Sequence, residues 1–232
     1  MRIVFFTGAG VSAESGLRTF RDTDGLWEQH RIEDVATPQA WARDPRRVLH
    51  FYDLRREQVL KAAPNPAHWA IARLEKDHHV DVVTQNIDDL HERAGSTRVL
   101  HLHGEILKAR STRDPRLVTP ITGAHLRWGD RCALGSQLRP HIVWFGEEVP
   151  ALEEAAHIVR RAEVLVVVGS SLQVYPAAGL VHLAPRHAAV HVVDPRADSM
   201  DLPPQVTRWN EAASAGLPAL AASLSIGPPI NG

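Results

Sequence analysis

The sequence is almost without cysteine. Cys132 is its single thiol, so no internal disulfide can form and no cysteine-rich metal site can be assembled, which suits a reducing compartment. It also lacks an excess of either charge. Against 27 Asp and Glu stand 26 Lys and Arg, a formal net charge of -1, which gives no basis for generalised binding to nucleic acid or to an acidic membrane surface. Arginines do dominate the basic residues and leave room for a local patch. No apolar run reaches the length of a membrane span. Ile3–Phe6 is too short for the apolar region of a signal peptide and leads straight into glycines, so a cytoplasmic location is expected. Repeats and low-complexity tracts are missing too, and the Pro/Gly-rich end from Ile226 to Gly232 reads as a frayed tail.

What is present is a chain of 232 residues, 44% hydrophobic and 23% charged, large enough for a sizeable core and for one soluble globular domain with an insertion. The stretch from Val83 to Glu105 organises it. Val80–Thr84 is a short β-branched apolar run, long enough for a buried strand and too short for a helix. Gln85, Asn86, Ile87, Asp88 and Asp89 follow at once, placing amides and carboxylates where a strand of a parallel sheet would end, the usual ligand side of such folds. Asp88 or Asp89 can also cap the next helix, but a cap needs one residue and this block supplies four polar groups. Arg98–Leu102 reads as a second strand that delivers His103 and Gly104 to the same edge. An imidazole there can reach a cleft, and its ordinary pKa suits a general base near neutrality. His101 shares that side of the strand and is an equal candidate by position.

Ile3–Thr7 reads as a buried strand, followed by Gly8, Ala9 and Gly10, with Ser12 to Ser15 opening a helix. A strand, a glycine turn and a helix N-terminus make a phosphate cradle, since small residues let backbone N–H groups approach an anion. Glycines at 8, 10 and 16 do not match the GxGxxG spacing of dinucleotide dehydrogenases. The next residues, with Phe20, Arg21 and Trp27, fit neither helical nor strand period and read as a packed surface loop or a lid.

Helices are expected from Thr37-Pro38, from Asp44-Pro45 through Leu60, and from Asn65-Pro66 to about His78. Tyr52 and Arg55 share one face of the second, a pairing that usually marks a solvated polar face. The segment Ile106–Pro140 changes character, rich in Arg, Thr, Gly and Pro, with weak strand patterns near Leu107 and Leu117, and reads as an insertion. Strands return at His141–Phe145, Val164–Val168 and Val190–Val193, with helices from Pro150 to Arg161 and from Pro176. Strands alternating with helices predict a doubly wound parallel α/β sheet with its ligand at the strand ends.

Five separated pieces coincide: GAGVSAESGLRTFR from Gly8, TQNIDDLH from Thr84, HGE from His103, PHIVWFGE from Pro140 and GSSLQVYPAAG from Gly169. Together, and in this order over nearly the whole chain, they closely resemble the sirtuins, the NAD-dependent protein lysine deacylases. The resemblance implies a Rossmann-like NAD-binding domain from residues 1–105 and 141–226, a smaller inserted module at 106–140 joined by helices of the segment 30–62, and a tail at 227–232. It implies NAD as cosubstrate and acylated lysine side chains of proteins as partner, with no specific nucleic acid and no membrane. His103 would be the general base, with Asn86 and Asp88 beside it. Gly8, Ala9, Gly10, Ser12, Phe20, Arg21 and Trp27 would line the pyrophosphate and nicotinamide side. Gln85, Asn86, Ile87 and Asp88 would hold nicotinamide and its ribose. Gly169, Ser170, Ser171, Asp194 and Ala213 would meet the adenosine half. Val143, Phe145, Gly146 and Glu147 would pair with the substrate backbone. Tyr52 and Arg55 fall where one branch of the family carries a YxxR pair that binds the carboxylate of succinyl- or malonyl-lysine, and Ala36 would leave room for the acyl group.

Two departures stand out. The family's structural zinc takes four cysteines, whereas this chain has Ser111 at the first position and only Cys132 near the second pair. With His125 as the nearest helper, the donor set is poor and no zinc is expected. Asp194 replaces an asparagine usual at the adenine ribose, and a carboxylate can still accept from ribose hydroxyls. The missing cysteines also leave open a catalytically weak NAD- or ADP-ribose-binding module. The glycine spacing and the QNID turn speak against a third reading, an ordinary NAD oxidoreductase.

Overall fold

The computed structural model describes residues 1–17, 26, 27 and 30–225, with only the backbone at 26 and 27. Phe20, Arg21, the side chain of Trp27 and the tail at 226–232 lie outside the described residues. In chain order the elements are β1 (Arg2–Thr7), α1 (Gly10–Ala13), β2 (Leu26–Trp27), β3 (His30–Arg31), α2 (Ile32–Val35), α3 (Pro38–Arg43), α4 (Pro45–Lys61) and α5 (Pro66–Leu74). They continue with β4 (His79–Thr84), α6 (Leu90–Ala94), β5 (Val99–His101), β6 (Gly104–Ser111), β7 (Val118–Pro120), β8 (Leu138–Ile142), α7 (Leu152–Val159) and β9 (Val164–Val168). A 3-10 segment (Ala177–Leu183), β10 (Ala189–Val193), a short 3-10 turn (Ala197–Ser199), β11 (Thr207–Trp209) and α8 (Ala213–Ser225) complete the fold.

Six strands form one parallel sheet in the order β11-β10-β9-β1-β4-β5. Side chains of a strand alternate between faces, and here both faces are covered. Ile3, Phe5, Val80, Val82, Val164 and Val166 pack with Ile71, Leu74, Leu217 and Leu220 of α5 and α8. The intervening Val4, Phe6, Val83, Leu165 and Val167 pack with Ala155 and Val159 of α7 and with Leu180. Burial on both faces is why these strands read as continuous apolar runs rather than alternating ones.

Register sets the functional edge. Thr7 is paired with Thr84 and with Val168, Val168 with Val193, and Thr84 with His101. The turns at Gly8, Gln85, Leu102, Gly169 and Asp194 therefore leave the sheet at one level.

The second unit is a three-stranded antiparallel sheet, β7-β6-β8. It runs from Gly104 to Ile142, slightly beyond the 106–140 expected of the insertion. The strand expected at His141–Phe145 is instead Leu138–Ile142, and it pairs with β6 rather than joining the parallel sheet. Three helices differ from the sequence reading. The one opened by Asn65 ends at Leu74, α7 is shorter than Pro150–Arg161, and the segment after Pro176 winds as 3-10.

Helix starts follow the expected capping chemistry. Thr37, Asp44 and Asn65 each accept a backbone N–H with their side chain, and a proline follows each. A separate apolar cluster ties α2, α3 and α4 to the insertion, with Val35, Phe51 and Tyr52 against Ile106, Ile142 and Trp144.

Candidate active site

The turn after β4 is clamped by residues at and beyond the end of β5. His103 Nδ1 lies 3.0 Å from the carbonyl of Gln85, His101 Nδ1 lies 2.8 Å from that of Asn86, and Ile106 N–H donates to that of Ile87 across 2.8 Å. Three successive carbonyls of the QNID turn are thus held from one side. A carbonyl only accepts, so Nδ1 of His103 carries the proton and Nε2 keeps its lone pair. Burial pushes the His103 imidazole below its ordinary pKa, with the Gln85 carbonyl opposing. The ring is neutral at pH 7, as a base must be. Gly104 makes the approach possible: it adopts a φ of +81°, and a Cβ there would sit 2.1 Å from the carbonyl oxygen of His141.

Under the turn lies a buried polar network. Ser12 Oγ donates to Asp88 Oδ2 across 3.1 Å, and Asn86 Nδ2 donates to Ser12 Oγ across 3.1 Å. Asp88 Oδ1 also accepts from Leu90 N–H, so this carboxylate serves the helix start and the network at once. Burial raises its pKa, while Leu90 N–H and Ser12 oppose the shift. Four further residues join this network: Thr84 and His91 bound the TQNIDDLH motif but were given no role, and Thr7 and His68 gave no functional signal in the sequence. Thr7 and Thr84 hydroxyls are 2.8 Å apart, His91 Nε2 lies 3.1 Å from Thr7 Oγ1, and His68 Nε2 lies 3.5 Å from Ser12 Oγ. The two rings meet edge to face at 4.9 Å. Burial brings His68 down to about 4 and drives His91 well below its ordinary value.

Two backbone donors of the glycine turn are used within the protein. Gly8 N–H donates to Val168 O and Gly10 N–H to Gly169 O, both across 2.9 Å. Those two donors are occupied by the protein. A Cβ on Gly10 would lie 2.6 Å from Gly169 Cα, and one on Gly8 would lie 2.8 Å from Gly169 O. The pair is small because two loop backbones interlock, with Gly169 itself at a φ of +56°. Ala9 lies between them, Ser170 is buried, Ser171 is half-buried beside it, and Asp194 is buried with its carboxylate capping Arg196 N–H. Ala213 is buried at the start of α8.

The remaining wall comes from α4 and the segment after β8. Val143 N–H donates to His103 O, which brings Val143 beside the histidine, and Phe145 N–H donates to Ala36 O, which ties the same segment to the end of α2. Phe145 is 47% exposed and open to a partner. Gly146 follows at a φ of +88°. Glu147, expected to serve a substrate, is engaged internally. It accepts from Arg139 at 2.7 and 3.0 Å, from Arg110 at 3.1 Å and from Trp144 N–H at 2.8 Å. Tyr52 and Arg55 are buried, at 0% and 7% exposure, which overturns the solvated face expected of that pair. Trp144 donates to the Tyr52 hydroxyl across 3.1 Å, a partner that the WFGE motif alone did not suggest.

A match to the Sir2 family model spans residues 8–176. The chain belongs to the Sir2 family. A relative from Helicobacter pylori, an NAD-dependent protein deacylase, is 53% identical over 211 residues, covering 91% of this chain and 92% of its own. Among solved structures, a Sir2 homologue mutant in complex with ADP-ribose aligns with a TM-score of 0.88 at 40% identity, covering 98% and 94% of the two chains. A Sir2 bound to an acetylated peptide aligns with a TM-score of 0.75 at 29% identity, covering 97% and 93%.

The family's zinc position does not fit a metal here. Ser111 Oγ lies 3.3 Å from Cys132 Sγ, and Ser136 Oγ lies 3.1 Å from the same sulfur and 2.8 Å from Ser111. One thiol and two hydroxyls, hydrogen-bonded to one another, are a poor donor set for zinc. His125 turns instead toward Asp53, at 3.3 Å.

Proposed function

We propose that this chain is an NAD-dependent protein lysine deacylase that removes acetyl groups and, through Tyr52 and Arg55, acidic acyl groups such as succinyl and malonyl. The observation that carries the reading is the His103 ring, held neutral by burial with its Nδ1–H on the Gln85 carbonyl.

The site fits NAD. Gln85 Nε2 is buried and donates to no acceptor among the described residues, and a buried amide donor without a partner is costly unless a ligand completes it. Gln85, Ile87 and the Ser12–Asn86–Asp88 network would hold the nicotinamide ribose, and Ser170, Ser171 and Asp194 the adenosine half. NAD supplies a ribose carbon that parts with nicotinamide and takes the acyl oxygen. The chain's own task is to orient the weak acyl nucleophile in line and keep water away. His103 Nε2 would then take a proton from a ribose hydroxyl, whose oxygen attacks the acyl carbon; the lysine amine leaves, and one water, admitted only after nicotinamide has departed, completes the O-acyl-ADP-ribose. Phe145 and Val143 would pair with the substrate backbone, which favours modest sequence selectivity. Arg55 would offer its guanidinium to the acyl carboxylate beside the Tyr52 hydroxyl, and Ala36 would leave space for the chain between.

The test is nicotinamide release by chelator-treated protein given NAD and either an acetyl-lysine or a succinyl-lysine peptide. Peptide-dependent release, with the succinyl peptide well used, is expected. Binding of NAD without release from either peptide would favour the alternative, a binding module that has lost turnover along with the zinc cysteines.

A further inference from the structure

His101 ends β5, two residues before His103, and its surroundings differ from those of His103. Its Nδ1 faces the Asn86 carbonyl at 2.8 Å and its Nε2 faces Glu92 Oε1 at 2.7 Å. The ring is largely enclosed, with 8% of its side chain exposed against 39% for Glu92. A carbonyl and a carboxylate both accept and neither donates, so two such contacts at these lengths require an N–H on each ring nitrogen. We propose that His101 is a protonated positioning residue: an imidazolium that fixes the Asn86 peptide, and with it the QNID turn, by bridging it to Glu92 on α6.

The charge environment agrees. Burial opposes a charge on His101, but the Glu92 hydrogen bond and its charge outweigh it and hold the ring above its ordinary pKa. Glu92 moves the opposite way: burial would raise it, yet the contact with His101 brings it below the usual carboxylate range. Several other groups face the ring. On the turn is Asp88, and on α6 is His91, kept neutral by burial. On β6 Glu105 adds a further attraction, and its own carboxylate is taken by Lys108 Nζ at 2.7 Å. Glu92, His101 and Glu105 also bring donor atoms within 4.8 Å of one another, but the Lys108 ammonium and the His101 proton already supply the cations.

Position gives the bridge its consequence. Asn86 sits between Gln85, whose carbonyl sets the His103 tautomer, and Ile87, whose carbonyl is bound by β6. Losing the His101 proton places a lone pair against either the carbonyl or the carboxylate, which repels the turn and loosens the residues on either side of Asn86. The expected result is a fall in kcat rather than a rise in KM for peptide, because misplacing a reacting group by a fraction of an ångström acts on the chemical step. The deprotonation lies above the ordinary imidazole value, because the Glu92 contact outweighs burial. Together with the acid limb of His103 it makes the pH profile bell-shaped.

The inference rests on the deacylase reading for its kinetic arm, and its spectroscopic arm is independent of it. In the whole ligand-free protein, nitrogen NMR at pH 6, assigned by comparison with His101→Gln, is expected to show both His101 ring nitrogens protonated. One unprotonated nitrogen there overturns the proposal whether or not the protein turns over. In the kinetic arm, Glu92→Gln removes the counter-charge while keeping the length of the side chain. It should move the alkaline limb of kcat to lower pH, because burial then acts on the imidazolium without the Glu92 charge to oppose it. His101→Gln should lower kcat on the order of tenfold to a hundredfold and abolish that limb. An alkaline limb unmoved by Glu92→Gln, in an enzyme that releases nicotinamide, overturns the proposal. Absence of release from the wild type would instead count against the deacylase reading.

Discussion

Trp144 Nε1 donates a hydrogen bond to the Tyr52 hydroxyl across 3.1 Å, tying the segment after β8 to the middle of α4. The indole is fixed on its other side by the Arg139 guanidinium, 3.3 Å from the ring centroid, and Arg139 is anchored in turn on Glu147. A chain of contacts thus runs from the FGE segment, with Phe145 exposed, to the residue proposed to read the acyl group.

Removing that donor should show in selectivity before it shows in fold. Trp144→Phe should destabilise by about 1 kcal/mol, the net worth of one buried hydrogen bond, and lower kcat/KM for a succinyl peptide more than for an acetyl peptide. Arg55→Met should widen the same gap. An equal loss on both peptides for Arg55→Met would remove the carboxylate contact from the scheme.

As the proposed general base, His103 should set the acid side of the rate profile. Burial depresses the His103 pKa from 6.5, so the neutral base persists as pH falls through 6.5 and is lost only below it. The acid limb of kcat/KM should therefore lie below pH 6.5, and His103→Ala should abolish turnover while NAD binding survives. A titration of nicotinamide release against pH checks the first point and calorimetry with NAD the second.

Stability at low pH should follow His68 and His91. Both have pKa values depressed by burial, His68 to about 4, so below about pH 6.5 the unfolded chain takes up protons that the folded chain refuses. Stability should fall as pH drops from there, by up to about 1.4 kcal/mol per pH unit for each ring. Urea unfolding of wild type and His68→Gln between pH 7 and 5 measures this, with a shallower slope expected in the variant.

Arg56 should matter more than any surface arginine. It is fully buried, and it donates to the Ile106 carbonyl at 2.8 Å, to Asp53 at 2.8 Å and to the Ala124 carbonyl at 2.7 Å. These contacts join α4 to the module that does without its thiolates. Arg56→Met leaves Asp53 and two carbonyls short of a donor and should cost about 3 kcal/mol. A thermal melt reads the loss, and a change of under about 0.5 kcal/mol, as at an ordinary surface site, would show the contacts to be dispensable.

Strands are legible in the sequence where they are buried on both faces. Val164–Val168 matches its strand residue for residue, and Val80–Thr84 falls short of its strand by one residue, because short runs rich in β-branched residues fit a pleated, doubly covered sheet better than a helix. Helix starts at Thr37, Asp44 and Asn65 are legible for an equally local reason, a side-chain acceptor followed by proline. The strand near His141 is not, because pairing partner and direction depend on β6, which lies far along the chain. The neighbours Tyr52 and Asp53, and Arg55 and Arg56, show the same limit. Their spacing says which residues share a helix face, and only packing says which face meets the site and which meets the module.

By itself the sequence determined the strands buried on both faces, the turns that end them and the arrival of His101 and His103 at one sheet edge, since these follow from local pattern and from residue chemistry. Tertiary structure alone decided what those residues are. It gave His103 one acceptor and burial, and so a neutral ring, and it gave His101 two acceptors, the basis of the proposed imidazolium. It made Gly8 and Gly10 an interlock with Gly169, and it buried Tyr52 and Arg55. Protonation, desolvation and close approach depend on which distant groups surround an atom, and those groups come together only when the sheet is assembled.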